Sequence, residues 1–302
     1  MNQRPETFPY SPEPARGWLA WTLLAPILCV LIVAIPVLAT SDMLQQGGYT
    51  DARGNPIGTQ GLLVFLVPPF ALTGLLVMLW VLLVERRPLA TIGLTKRGWG
   101  SFLRGAGIGC LTLGAVVAAI WIAGGFRAEG FGAAFGSPKD MTNIGLLLLA
   151  FALQASVEEV LFRGWLLSLV ARRLNVFVAV LVTGAVFSLL HYGPGQPWLV
   201  SLNTFLFSTF ACCWALRSGN IWGVMGWHAG WNWLLATGFE LPVTGLDAGT
   251  SALLVKLLPQ GPAVLTGGTE GPEGSWLCGA FFALASLWLL RPRPGGGGAV
   301  AG

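Results

Sequence analysis

The sequence predicts an all-α membrane protein, a polytopic bundle of about eight transmembrane helices. Charged residues make up 10% of the 302 residues and hydrophobic residues 54%, and the mean hydropathy is +0.70. An average soluble domain has roughly 25% charged residues. In lipid, only helices and closed barrels satisfy their own backbone hydrogen bonds. The apolar runs are continuous instead of alternating with polar residues, so they are typical of helices and not of barrel strands.

Eight apolar segments are candidates for crossing the bilayer, which takes about 20 residues of helix. They are 17–39, 61–84, 102–124, 143–170, 175–192, 198–216, 221–238 and 275–290. The predicted organisation is a flexible tail (1–16), three transmembrane helices (17–142), core helices (143–238), a loop with the last helix (239–290) and a disordered Gly-rich tail (291–302). Within the loop, Ser251 to Leu258 is too short to cross, so we expect a loop, an interfacial helix or a re-entrant turn.

The distribution of Lys and Arg predicts the orientation. With eight spans, one side receives Arg4, Arg16, Arg86, Arg87, Lys96, Arg97, Arg104, Arg172, Arg173, Arg217, Arg291 and Arg293. The other side receives only Arg53, Arg127, Lys139 and Lys256. Because basic loops stay in the cytoplasm, we expect a multi-pass protein of a bacterial-type inner membrane with both termini cytoplasmic. The basic residues form no patch for nucleic acid, and the lipid bilayer is the expected partner.

A few strong polar groups lie inside the predicted spans, in three helices. They are Glu158, Glu159, Arg163, His191, His228 and Asn232. An ionisable side chain at mid-bilayer costs at least a few kcal/mol, so it usually faces a partner or a watery cavity and marks function. Taken singly, each group could be a packing contact between helices. Taken together, one site explains them all.

Helix periodicity sorts these residues by face. Glu159 and Arg163 are four apart, so they can form an ion pair along one face, while Glu158 points elsewhere and is free for chemistry. His228 and Asn232 also share a face, which aims two hydrogen-bonding groups at one place. Phe187 and His191 share a face of the fifth segment, so the two rings can pack together.

Such a set of groups could hydrolyse a peptide bond without a serine nucleophile. A carboxylate and a neutral imidazole can hold a water molecule and take its proton. A second imidazole and an amide N–H can stabilise the oxyanion of a tetrahedral intermediate. The alternative is a catalytic zinc site with Glu158, His191 and His228 as ligands. The sequence has no H-E-x-x-H motif, so it is not that of a standard zincin.

Three motifs resemble those of a known family. EEVLFRG at 158–164 matches EExxxR, Phe187 to His191 matches FxxxH, and His228 to Asn232 matches HxxxN. In this order, within apolar segments, they resemble the CAAX protease and bacteriocin-processing family (CPBP, or Abi), intramembrane endopeptidases that include the Ras-converting CAAX endoprotease. The resemblance covers roughly residues 143–238. The stretch LTGGTEGPEGS before the last segment also resembles one in bacterial members.

The resemblance implies a role for each motif residue. Glu158 and His191 would position and activate water, His228 and Asn232 would form the oxyanion hole, and Glu159 with Arg163 would be architectural. No cofactor is favoured, and zinc is the alternative. The implied substrates are prenylated CAAX tails, leader peptides or membrane-proximal segments, so a peptide or membrane protein is the expected partner.

Other function classes are alternatives to a protease. The protein could be a non-catalytic scaffold, chaperone or immunity protein, although none of these needs a water-activating carboxylate. A transporter that couples protons through Glu158 would more naturally have internal repeats, and none is apparent.

The depth of His191 conflicts with a single site. His191 lies about sixteen residues into its segment, which at 1.5 Å per residue places it near the outer face, while Glu158 and His228 lie near mid-bilayer. If the site exists, these residues and Asn232 converge on one cavity, with Glu158 and His191 within about one water of each other. Glu159 should turn toward Arg163 and away from that water.

Overall fold

The structure, a computed structural model, describes residues 8–96 and 98–292. All eight predicted apolar segments contain a helix. Ten α-helices are described, because the fourth segment contains two of them and a further short helix, α9, lies between the seventh and eighth segments. They are α1 (Leu24–Gln46), α2 (Gly58–Leu79), α3 (Trp99–Ile122), α4 (Pro138–Glu159), α5 (Leu167–Arg173), α6 (Val176–Leu190), α7 (Trp198–Ser218), α8 (Trp222–Trp233), α9 (Ala263–Thr266) and α10 (Trp276–Leu289). Three π-helical segments extend them, Trp80–Val84 after α2, Val160–Leu166 between α4 and α5, and Leu234–Gly238 after α8.

Five of the described helical stretches are long and apolar enough to cross a membrane, which is fewer than the eight predicted. They are Leu24–Gln46, Gly58–Val84, Trp99–Ile122, Pro138–Arg173 and Trp198–Ser218. α6 and α10 are apolar but have only 15 and 14 residues. The outer surface is rich in exposed apolar side chains such as Leu38, Leu111 and Ile122, which are 71%, 75% and 89% exposed. An apolar exterior around buried ionic groups is the arrangement of an integral membrane protein.

A two-stranded antiparallel sheet is the main departure from an all-α fold. β1 (Phe126–Phe131) pairs with β2 (Val255–Pro259). The segment from Ser251 to Leu258 therefore contributes to a strand and is not the loop, interfacial helix or re-entrant turn predicted for it. Its partner lies more than a hundred residues earlier in the chain, so the local pattern could not indicate the pairing. Lys256 of β2 bridges Glu129 and Glu240 at 3.1 and 3.2 Å.

The sheet belongs to one end of the bundle, which we call the loop end and define as residues 47–57, 123–137, 191–197 and 239–275. Hydrogen bonds join these connections to each other and to the helices beside them. Thr59 at the start of α2 donates to the carbonyl of Gly249, and Ser251 donates to the carboxylate of Asp140 at the start of α4. The connections 47–57, 123–137 and 239–275 are thus joined into one layer over the helices.

The opposite end, the terminal end, comprises residues 8–23, 85–96, 98, 172–175, 217–221 and 290–292. The part of the predicted flexible tail that the structure describes packs against the bundle here. Tyr10 is buried and donates to the carbonyl of Arg163 at 2.7 Å, and Arg172 donates to the carbonyl of Glu13 at 3.0 Å. The first helix therefore begins at Leu24 and not at residue 17, because the preceding residues are bound elsewhere. Residues 293–302 of the predicted Gly-rich tail lie outside the described residues.

A pair of glycines sets the position of α8, the helix that carries His228. Gly226 and Gly230 approach the backbone of α3 so closely that a Cβ at either position would collide with a carbonyl of α3. Small residues spaced by four allow such close approach in membrane helices. Residues 228 and 232 are offset by two from these glycines, about 200° around the helix, so they face away from α3. This packing turns His228 and Asn232 toward α4.

Candidate active site

One cavity of about 320 Å³ brings together the four predicted site residues. Glu158 and Gln154 line it from α4, His191 from the end of α6, and His228 and Asn232 from α8. Glu158, His191, His228 and Asn232 therefore converge on one cavity, as predicted from the sequence. Most of the remaining lining is apolar, and α1, α2 and α7 contribute a large share of it, so the polar groups form a small patch within an apolar pocket.

Glu158 is buried, and its free oxygen faces an imidazole. The Oε2 atom of Glu158 lies 3.9 Å from Nε2 of His228, and only 10% of the Glu158 side chain is exposed. This separation is longer than a hydrogen bond. Oε2 has no hydrogen-bond partner among the described residues. A buried carboxylate oxygen without a partner is costly, so it is poised for a group that enters the cavity.

Glu159 forms the predicted ion pair with Arg163 and has a second partner that was not predicted. Its Oε1 atom lies 3.1 Å from Nη1 of Arg163 and 2.9 Å from Nδ1 of His228. The expectation that Glu159 turns away from the site is therefore only partly right. Because a carboxylate can only accept, Nδ1 of His228 carries a proton and donates. A spacing of four residues identifies only partners on the same helix. It could not predict the contact between Glu159 and His228, because that contact joins α4 to α8.

His191 ends α6 and is held by the residue one turn earlier. Its Nδ1 atom is 2.8 Å from the carbonyl of Phe187, and its ring stacks on the Phe187 ring with centroids 4.2 Å apart. Since a carbonyl only accepts, Nδ1 is protonated and Nε2 of the neutral ring is left as a proton acceptor. His191 and Glu158 line the same cavity, without a direct hydrogen bond between them among the described residues.

Asn232 is fixed by Gln154, a residue that the sequence reasoning missed. The Nδ2 atom of Asn232 donates to Oε1 of Gln154 at 3.2 Å, and both side chains are buried. Gln154 precedes Glu158 by four residues, so the periodicity of α4 could have placed it beside the site. The second N–H of the amide remains for another acceptor.

The stretch LTGGTEGPEGS supplies two further carboxylates to the cavity, Glu270 and Glu273. Oε1 of Glu273 accepts from the indole of Trp231 at 3.0 Å, and Oε2 accepts from the backbone N–H of Thr244 at 2.9 Å and from its hydroxyl. Burial raises the pKa of Glu273 above its ordinary value, and the bonds from Thr244 oppose that shift. The resemblance of this stretch to bacterial family members was the available signal.

The zinc alternative has little geometric support in the described residues. They contain no group of three or more His, Cys, Asp or Glu side chains that could hold a metal ion. Both Nδ1 atoms of the two histidines are committed to protein acceptors, so only Nε2 of each ring faces the cavity as a possible donor atom. Glu158 and His228 approach each other, but a third ligand does not join them.

Comparison with known proteins agrees with the motifs. Residues 140–234 match the model of the family described as type II CAAX prenyl endopeptidase Rce1-like. The matched region contains all six polar residues singled out above, and it confirms the resemblance to the CPBP family. Neither a curated protein nor a solved structure matches the chain.

Proposed function

From this family match and the geometry of the cavity, we propose that the chain is an intramembrane endopeptidase of the CPBP type that hydrolyses a peptide bond with activated water. The observation that carries the proposal is the meeting of Glu158 and His228 in a buried cavity that His191 and Asn232 also line. A packing role for each residue leaves the unpartnered Oε2 of Glu158 unexplained.

The first step is attack by water. Glu158 and Nε2 of His191 are both acceptors, so together they hold a water molecule and Glu158 takes its proton as the oxygen attacks the carbonyl carbon. The C–N bond then breaks, and Glu158 returns the proton to the leaving amine. Atoms and charges balance without a covalent intermediate. Because Glu158 has given that proton back, the enzyme is unchanged at the end of the cycle.

Stabilisation of the oxyanion constrains the protonation of His228. Its Nδ1–H already donates to Glu159, so Nε2 can donate to an oxyanion only when the ring is an imidazolium. Glu159 at Nδ1 and Glu158 near Nε2 flank the ring on both sides. The free N–H of Asn232 is the second donor of the oxyanion hole. In this scheme Glu159 orients His228 and also pairs with Arg163.

The apolar lining fits substrates that lie in or on the membrane. Side chains of α1 and α2, including Val33, Val37, Phe65 and Phe70, form one wall of the cavity. The matched family is named for prenylated CAAX substrates. We therefore place prenylated tails, leader peptides and membrane-proximal segments among the candidate substrates. Basic residues at the terminal end, such as Arg86, Arg173 and Arg217, favour a multi-pass inner-membrane protein with cytoplasmic termini. The proposed reaction uses no cofactor.

The test is a comparison of wild type with Glu158→Gln. New protein termini are identified in membranes of a host that expresses either form at equal level, with Glu129→Gln as the matched control because Glu129 is exposed on β1. Wild type and the control should produce the same new termini. Glu158→Gln should accumulate normally and lower their abundance by about 10²-fold or more, since it removes the general base. Near-wild-type cleavage by Glu158→Gln refutes the proposed role of Glu158.

A further inference from the structure

The side-chain amide of Asn232 can act in two opposite ways, because one end donates hydrogen bonds and the other end accepts them. Only the N–H end stabilises an oxyanion, whereas the carbonyl end repels it. A half turn about the last bond of the side chain exchanges the two ends within the cavity that Asn232 lines. The proposed oxyanion hole therefore needs a second group that keeps the N–H end of this amide in place.

Gln154 of α4 is the residue that bonds the Asn232 side chain. Its Oε1 atom accepts from Nδ2 of Asn232 at 3.2 Å, and the two residues are 7% and 5% exposed. Within the described part of the chain, this is the one hydrogen bond that either side chain makes. Because an acceptor can hold only the N–H end of an amide, Gln154 keeps Asn232 in the orientation that the oxyanion hole requires.

The packing of α8 on α4 does not depend on Gln154, because two other hydrogen bonds between these helices flank it. Nε1 of Trp233 donates to the carbonyl of Ile144 at 3.1 Å, and Nδ1 of His228 donates to Glu159 at 2.9 Å. Gln154 lies between Ile144 and Glu159 along α4. Loss of the Gln154 amide should therefore free the side chain that it holds and leave the two helices in register.

Helix packing alone does not explain a polar residue at position 154. Gln154 belongs to Pro138–Arg173, one of the stretches that are apolar enough to cross a membrane. A side-chain amide can make about four hydrogen bonds, and a partner for one of them is present among the described residues. An apolar side chain of the same size would avoid the cost of burying the other polar groups. The bond to Asn232 is therefore what the amide contributes.

We infer that Gln154 is a positioning residue for the proposed hydrolysis, which acts on the oxyanion through Asn232. The inference rests on the proposed function and adds a second layer to its oxyanion hole. The N–H of Asn232 gains strength as negative charge develops on the carbonyl oxygen, and the uncharged substrate uses it much less. Loss of Gln154 should therefore lower kcat and leave KM unchanged.

The experiment is a double-mutant cycle on the purified full-length protein in detergent. The probe is a quenched fluorescent peptide that spans one of the Glu158-dependent cleavage sites identified in host membranes. Gln154→Met, which keeps the side-chain volume and removes the acceptor, is introduced into wild type and into Asn232→Ala. Gln60→Met is the matched control, because it makes the same substitution at an exposed position of α2 outside the cavity.

Gln154→Met in wild type should lower kcat by about tenfold with KM unchanged, as expected for the loss of one hydrogen bond that orients a donor. Asn232→Ala should lower kcat by about 10²-fold or more. In that background Gln154→Met should cause no further loss, because the amide that it orients is gone. The control should cleave like wild type.

A second variant, Gln154→Asn, keeps the test informative if Gln154→Met does not fold. It retains an amide that is one methylene shorter, so its acceptor no longer reaches Asn232 and the same loss of kcat is expected. The unfolding midpoint of either variant should stay within about 4 °C of wild type, as for the loss of one hydrogen bond.

Three outcomes refute the positioning role and leave the proposed protease function intact. They are an unchanged kcat in Gln154→Met, a raised KM with kcat unchanged, and an equal loss of kcat with and without Asn232. If Glu158→Gln cleaves the peptide as fast as wild type, the proposed function itself fails and the positioning role fails with it.

Discussion

Loss of Glu159 should destabilise the protein more than loss of Arg163, and loss of both should be milder than loss of Glu159 alone. Both side chains are fully buried. Without Glu159, Arg163 has no carboxylate partner among the described residues and keeps the rings of Phe187, Phe207 and Phe162, 4.6, 5.0 and 5.9 Å from its guanidinium carbon. A stranded buried charge of this kind costs about 3–5 kcal/mol. Without Arg163, Glu159 still has His228 at 2.9 Å, so the remaining charge is partly compensated.

The variants Glu159→Met, Arg163→Met and the double variant keep similar side-chain volumes and separate stability from catalysis. In the double variant the stranded cation is gone, and the chief remaining loss is the unpaired Nδ1–H of His228, about 1–3 kcal/mol. Because Glu159→Met loses the same bond to His228, thermal unfolding of the purified proteins in detergent should place the double variant above Glu159→Met by the cost of the stranded cation, about 3–5 kcal/mol. Cleavage should stay lost, because His228 no longer has the carboxylate that orients its ring. If the double variant cleaves like wild type, Glu159 serves only as a counterion of Arg163. A larger loss of stability in Arg163→Met than in Glu159→Met would contradict the geometry.

Two further predictions concern metal and orientation. The purified active enzyme should contain no stoichiometric zinc and should survive chelators; about one metal per chain, lost and restored together with activity, would establish the zinc alternative. In intact cells a membrane-impermeant maleimide should label Thr244→Cys at the loop end and spare Ser218→Cys at the terminal end, and the reverse pattern would invert the proposed orientation.

Local patterns predicted the helices and the contacts within one helix. All eight apolar segments contain helices because a continuous apolar run needs no partner to be recognised. The Glu159–Arg163 pair followed from spacing alone, and so did the shared face of His228 and Asn232. Motif order then indicated the family, and the matched residues 140–234 agree with it.

Contacts between distant segments were not available from the sequence. The bonds from His228 to Glu159 and from Asn232 to Gln154 depend on α8 packing beside α4. The pairing of β1 with β2 joins segments separated by more than a hundred residues. Spacing within a helix carries no information about which helix lies opposite, so these contacts required the fold.

The depth conflict at His191 is resolved by the length of two helices. α6 has 15 residues and α10 has 14, which gives about 22 and 21 Å, less than the ~30 Å hydrocarbon core. Each reaches the terminal end, where α6 follows the turn at 174–175 and the carbonyl of Leu289 in α10 accepts from Arg217. Both therefore stop short of the loop-end surface, which leaves His191 within the bundle and not at its outer face.

The position of Asn203 shows independently how far below the loop-end surface α10 begins. It lies five residues into α7, about 8 Å below the loop-end start of that helix, and it bonds the carbonyl of Ser275 at the start of α10. The two short helices thus leave a recess at the loop end, through which water can reach Glu158 and His191 without crossing lipid. Tyr192 follows His191 at the loop end and is 56% exposed, so Tyr192→Cys should react with the impermeant maleimide from the same side as Thr244→Cys. If Tyr192→Cys is protected where Thr244→Cys is labelled, lipid fills the recess and water must enter by another route.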